Sequence, residues 1–159
     1  MTFKEYVDLL AKELGAEIET AGDACAFAFG AKEGGDVSVL LQGFDERGMM
    51  LTCADLGEPP PEGLEQLYRT LLEANDLYGD TGGATLSINR QTGHVRLQRF
   101  DDMDTLAAIG PAKALVAFAD TAVAWKRLIA DFRDAGGQPS PTAATAREEA
   151  CPPSDAMLV

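Results

Sequence analysis

Little in this chain of 159 residues is basic, thiol-rich or continuously apolar, and each shortage removes a class of function. Only 13 Lys and Arg stand against 26 Asp and Glu, a formal net charge of −13. The basic residues are scattered from Lys4 to Arg147, and their one adjacent pair is Lys126-Arg127. Binding nucleic acid requires clustered cations that neutralise phosphates, and an anionic membrane surface would repel the acidity, so neither partner is expected. No apolar run approaches the roughly 20 residues of a membrane-spanning helix. Met1 to Leu14 lacks the basic region and cleavage site of a secretory leader, and a cytoplasmic location is expected. Cys25, Cys53 and Cys151 are odd in number and far apart, which suggests neither a disulfide framework nor a zinc site.

Catalytic equipment is equally sparse. His94 is the single histidine and sits beside Gly93, without the placed partners that metal or triad chemistry requires, so it reads as a turn residue. Asp101, Asp102 and Asp104 could offer oxygen ligands to Mg²⁺ or Ca²⁺, as a small metal-dependent hydrolase would need. The glycine and distal Glu of a calcium loop are missing, however, and carboxylates ahead of a helical stretch suit helix capping. Gly82-Gly83 lacks the Lys-Ser/Thr of a phosphate loop and precedes a strand instead of a helix. Cys25 and Cys53 share alternating faces with Phe27 and Leu51 and read as small buried apolar groups, not as nucleophiles. No catalytic residue, metal or cofactor is expected.

What the chain does have is amphipathic periodicity. Phe3, Tyr6, Val7, Leu10 and Leu14 recur at helical spacing, with Thr2 able to cap the start and Gly15 the end. Three stretches then alternate with period two: Cys25, Phe27 and Phe29; Val37, Val39 and Leu41; Met49, Leu51 and Cys53. Gly34-Gly35-Asp36 and Asp45 to Gly48 separate them, so an antiparallel three-stranded meander is expected. Pro59-Pro60-Pro61 ends it. A helix carrying Leu64, Leu67, Tyr68, Leu71 and Leu72 runs to about Asn75. A hairpin follows, built from Ala84, Leu86 and Ile88, then Gly93, then Val95 and Leu97. A last helical stretch, broken or bent at Gly110-Pro111, continues as the seam Leu115, Phe118, Ala122, Trp125, Ile129 and Phe132 up to Gly136-Gly137. Residues 1–135 therefore read as one domain. Residues 136–159, with four prolines among Ser, Thr and Ala, read as a disordered tail.

Leu71-Leu72-Glu73-Ala74-Asn75, followed by Gly82-Gly83-Ala84-Thr85-Leu86-Ser87-Ile88 and then Val95-Arg96-Leu97, resembles the signature of the class I type III secretion chaperones, the Tir chaperone family. The order of elements over roughly residues 3 to 132 is also that family's. The resemblance implies an α+β sandwich, an antiparallel sheet of meander plus hairpin flanked by three helices, that forms a homodimer largely through the second helix. Leu64, Leu67, Tyr68, Leu71 and Leu72 then become candidates for the dimer contact. It further implies a cytoplasmic protein that binds the N-terminal chaperone-binding segment of a secreted effector and holds it extended without consuming ATP. Phe3, Val7, Leu10, Phe27, Phe29, Leu40 and Met50 become candidates for the effector-binding grooves, and the acidic surface would favour a basic effector segment. The alternative is a binding or scaffold module of the same fold, like the YbjN-type proteins, without a role in secretion.

Overall fold

The computed structural model describes residues 1–30 and 36–134. Gly34, Gly35, Gly136-Gly137, Cys151 and the expected tail lie outside these described residues. Helix α1 (Phe3–Leu14) starts at a capping box: the Thr2 hydroxyl accepts from the Glu5 N–H, and the Glu5 carboxylate accepts from the Thr2 N–H at 2.8 Å. It ends on Gly15 in the left-handed conformation. Strands β1 (Ala24–Phe29), β2 (Val37–Phe44) and β3 (Met49–Gly57) form the expected meander, joined after β2 by a 3-10 turn over Asp45–Arg47. Helix α2 (Leu64–Ala74) leads to the hairpin of β4 (Thr85–Ile88) and β5 (Val95–Asp102). Meander and hairpin join into one antiparallel sheet of order β1-β2-β3-β5-β4, with β5 inserted against β3. Strands β1 and β4 are thereby its edges.

The third expected helix is two. Helix α3 (Met103–Ile109) and helix α4 (Pro111–Asp134) meet at 95° across Gly110, whose φ of 106° a residue with a side chain adopts only under strain. Pro111 opens α4 at the position where its missing N–H is not needed. The next free donor, Ala112 N–H, gives its hydrogen bond to the Glu13 carboxylate of α1 at 2.8 Å, so α1 caps α4 from outside. No single described helix is long and apolar enough to cross a membrane.

Strand parity decides which side chains are covered. Val37, Val39 and Leu41 of β2, Met50, Ala54 and Leu56 of β3, and Val95 and Leu97 of β5 are buried in one core with Phe3, Tyr6, Val7 and Leu10 of α1. The α4 seam Leu115, Phe118, Ala122, Trp125, Ile129 and Phe132 is buried along its full length, as its spacing predicts. Gly43 has no Cβ because the Phe3 ring lies against it on β2, in the space that atom would occupy. Each large side chain removed from water contributes about 1.5–3 kcal/mol. Phe3, Val7, Leu10 and Met50, read as groove residues, are buried in the protein's own interior, on the helix-covered side of the sheet.

Candidate functional site

The odd-numbered positions of β3 and the even-numbered ones of β2 and β5 point away from the core. A half-buried sheet should be polar there, yet Leu40 and Phe44, Met49 and Leu51, and Phe100 occupy these positions. Leu40, Phe44 and Phe100 stay 38%, 40% and 47% exposed. Leu51 pairs with Phe100 on one side, and Met49 with Phe44 on the other, so the two rings lean toward each other across β3. Their centroids are 5.4 Å apart in an edge-to-face arrangement. Sequence reading found Leu40 but missed Phe44 and Phe100. The signal that could have found them is an aromatic residue standing where the strand's alternation calls for a polar one.

The two sheet edges differ. At β4 the Asn75 side chain acts as a substitute strand: its Nδ2 donates to the Leu86 carbonyl at 3.0 Å and its Oδ1 accepts from the Leu86 N–H at 2.8 Å. The Ala-Asn pair at the end of α2 is thus explained chemically. Ala74 is small enough to be fully buried, and Asn75 is the residue whose amide can satisfy both a backbone donor and a backbone acceptor. Strand β1 pairs only with β2; the Ala24 carbonyl at the start of its outer edge accepts from the Ala21 N–H at 2.8 Å, and among the described residues no strand or side chain occupies the rest. Phe27 and Phe29 are half-buried along that edge, on the face toward the helices.

Helix α2 splits the five expected dimer residues between two sides. Leu67 and Leu71 face inward one turn apart and are buried in the protomer's core. Leu64, Tyr68 and Leu72 recur every four residues on the outer side, with Leu72 71% exposed. The loop after α2 extends this apolar surface. Leu77 is 89% exposed, and both it and Tyr78 hold positive φ of 54° and 55°, a conformation that costs roughly 1–2 kcal/mol per residue with a side chain. The loop is pinned from behind. Trp125 Nε1 donates to the Asp80 carbonyl at 3.0 Å, and Arg99 donates to the Gly82 carbonyl at 3.4 Å. Arg99 is itself held by Asp101 at 2.6 Å and stacks over the Phe118 ring at 5.8 Å.

The residues weighed for chemistry have structural partners. Asp102 is the N-cap of α3 and accepts from the Thr105 N–H at 2.8 Å, which holds its carboxyl below the usual range. Asp101 serves Arg99, and Asp104 lies 3.3 Å from the N-terminal amine. His94 Nδ1 sits 2.9 Å from the Asp55 carboxylate across the β3–β5 pair. Burial pushes the Cys25 thiol up to about 11 and raises that of Cys53 as well, so neither is an activated nucleophile. Among the described residues no group of three or more His, Cys, Asp or Glu could hold a metal ion.

A five-stranded antiparallel sheet with helices on one face and aromatic residues left on the other, next to a helix with an apolar outer stripe, defines a small α+β protein built around exposed apolar surface. The chain belongs to the Tir chaperone protein (CesT) family, whose model matches residues 5–126. No curated protein sequence matches it. Among solved structures it is similar to a chain of the ExsC-ExsE complex, at a TM-score of 0.60 and 23% identity, over 81% of this chain and 96% of that one. A chain of the HopA1-SchA chaperone-effector complex is similar at a TM-score of 0.57 and 15% identity, over 83% and 93%. A chain of the heterodimeric ExoU-SpcU complex from the type III secretion system of Pseudomonas aeruginosa aligns at a TM-score of 0.50 and 16% identity, over 82% and 93%. At these identities the likeness is one of fold.

Proposed function

We propose that this protein is a cytoplasmic type III secretion chaperone that binds the N-terminal segment of a secreted effector as an extended chain. The observation that carries the reading is the apolar row Leu40, Phe44, Leu51 and Phe100 on an uncovered sheet face beside the edge strand β1, which has no strand neighbour beyond it. An extended peptide added along β1 would gain backbone hydrogen bonds whatever its sequence, and its alternate side chains would reach either the bare face or Phe27 and Phe29. A segment held in that way cannot fold on itself. Family membership and the similarity to chains of complexes named for chaperone and effector support the same reading. Release would require no nucleotide, because the contact is equilibrium binding.

The protein acts as a homodimer in this reading, joined through Leu64, Tyr68 and Leu72 of two α2 helices. Phe3 and Val7 contribute only the floor of a cleft beside β1. Co-expression with the N-terminal region of an effector encoded nearby tests the proposal. A stoichiometric complex that survives gel filtration is expected, carried by a particle of two 16.9 kDa chains in light scattering. Leu72→Asp, at an exposed position, should yield folded monomer. A wild-type protein that is monomeric at all concentrations, and that retains no effector segment, would sink the proposal.

A further inference from the structure

Leu77 and Tyr78, in the loop between α2 and β4, are the non-glycine residues that hold positive φ among the described residues, and both side chains project into water, 89% and 54% exposed. The conformation is enforced from within. The Tyr78 carbonyl accepts from the Gly83 N–H and from the hydroxyl of the buried Thr81, each at 3.3 Å, while the Trp125 and Arg99 side chains fix the loop to α4 and β5. Backbone strain that the surroundings enforce, at a leucine its own protomer leaves uncovered, points to a contact outside the protomer.

A cavity lies beside this projection. Strand β4 begins at Thr85, opposite Gln98, whereas β5 continues to Asp102, and the space left there, of about 410 Å³, is bounded by Tyr78 and Gly83 of the loop. Leu51, Tyr78 and Phe100 are its apolar walls, and Thr85, Gln98 and the Arg99–Asp101 ion pair complete it. The two charges already satisfy each other at 2.6 Å, so an apolar side chain entering the cavity strands neither of them. Projection and cavity are neighbours, since Leu77 adjoins Tyr78 in sequence, and Leu64, Tyr68 and Leu72 lead up to them along the outer side of α2. A two-fold axis through this surface brings the leucine of each copy to the cavity of the other, one contact made twice, as a symmetric pair requires.

We infer that Leu77 inserts into this cavity on a second copy of the chain and that the partner's Leu77 fills its own. This rests on the homodimer reading given above and adds to the α2 stripe the element that locks the pair. The partner's Leu77 then meets Leu51 and Phe100, so the second protomer bounds the β5 end of the apolar row offered to the client.

Analytical ultracentrifugation and urea denaturation of Leu77→Gly test the inference. Glycine adopts the same φ without strain, and the side chain it replaces is exposed in the protomer, so in the monomeric Leu72→Asp background the substitution should leave the urea midpoint unchanged or raise it. In the otherwise wild-type chain it should weaken dimerisation about tenfold or more, because two leucines lose their burial. A second measurement locates the contact. In dimers reassembled from leucine-methyl-labelled and unlabelled protomers, isotope-filtered NMR should place the Leu77 methyl groups against the Phe100 ring of the other chain. Dimerisation of Leu77→Gly within about twofold of wild type, or no methyl-to-ring contact across the dimer, would overturn the inference while the α2 contact stands, provided Leu72→Asp is still monomeric. Client binding lost with dimerisation unaltered would overturn it in favour of a direct client contact. A wild-type chain that is monomeric at every concentration would overturn the dimer reading, and this inference with it.

Discussion

The β4 and β1 edges of one sheet meet the same hazard in opposite ways. An unpaired strand offers a row of backbone donors and acceptors to any other extended chain. At β4 the Asn75 amide takes both groups of Leu86, and α2 lies alongside. At β1, with the sequence Ala-Cys-Ala-Phe-Ala-Phe, there is no proline, lysine or bulge to discourage pairing. A protein whose only requirement was stability would blunt both. In the proposed function the open edge is the one offered to the client, while the closed one secures the protomer beside α2.

Three experiments would break or sharpen this contrast. The largest effect is expected at the closed edge, where Asn75→Ala removes two hydrogen bonds and leaves a backbone N–H and C=O of β4 without partners. Urea denaturation should show a loss of about 2–3 kcal/mol, with aggregation through the newly exposed edge. An intermediate effect is expected at high pH. The Cys25 thiol on β1 ionises at about 11 in the folded protein against an ordinary value of 9.0. The unfolded chain therefore loses this proton first, so the stability contributed by keeping the thiol neutral is present below pH 9.0 and declines as pH approaches 11. Denaturation midpoints measured across that interval should fall, and in Cys25→Ala they should fall less. The smallest change in stability belongs to Ala26→Lys, on the bare side of β1 opposite Leu40. It should shift unfolding by no more than about 0.5 kcal/mol, yet abolish co-purification of the client by placing a charge on the docking edge. Retained client binding in that variant would remove β1 from the proposed site.

Much of the fold was legible locally. The capping box at Thr2 and Glu5, the αL stop at Gly15, the meander turns at Gly48, and the α4 seam from Leu115 to Phe132 all depend on residues within a turn or two of one another. The site was legible only in part. Of the residues read as client or dimer contacts, Leu40 is exposed, whereas Phe3, Val7, Leu10, Met50, Leu67 and Leu71 are buried within the protomer. An apolar stripe reports that a face is covered without saying by what, and the same periodicity serves a core, a subunit contact or a client. Phe44 and Phe100 were missed because each looks unremarkable within its own strand. They become a site only when β5 inserts next to β3 and brings the two rings together.

Taken alone, the order of amino acids determined which segments are helix and which are strand, where each begins and ends, and the helix-to-hairpin junction at Asn75 that marks the family. The tertiary structure alone decided the pairing of β5 with β3, the parity that turns Met50 inward and Leu51 outward, and which of the two edges is closed. The physical reason is range. Caps, turns and periodicity are settled by neighbours along the chain, whereas burial and edge closure depend on contacts such as Asn75 with Leu86, or Trp125 with Asp80, that exist only once distant segments have packed.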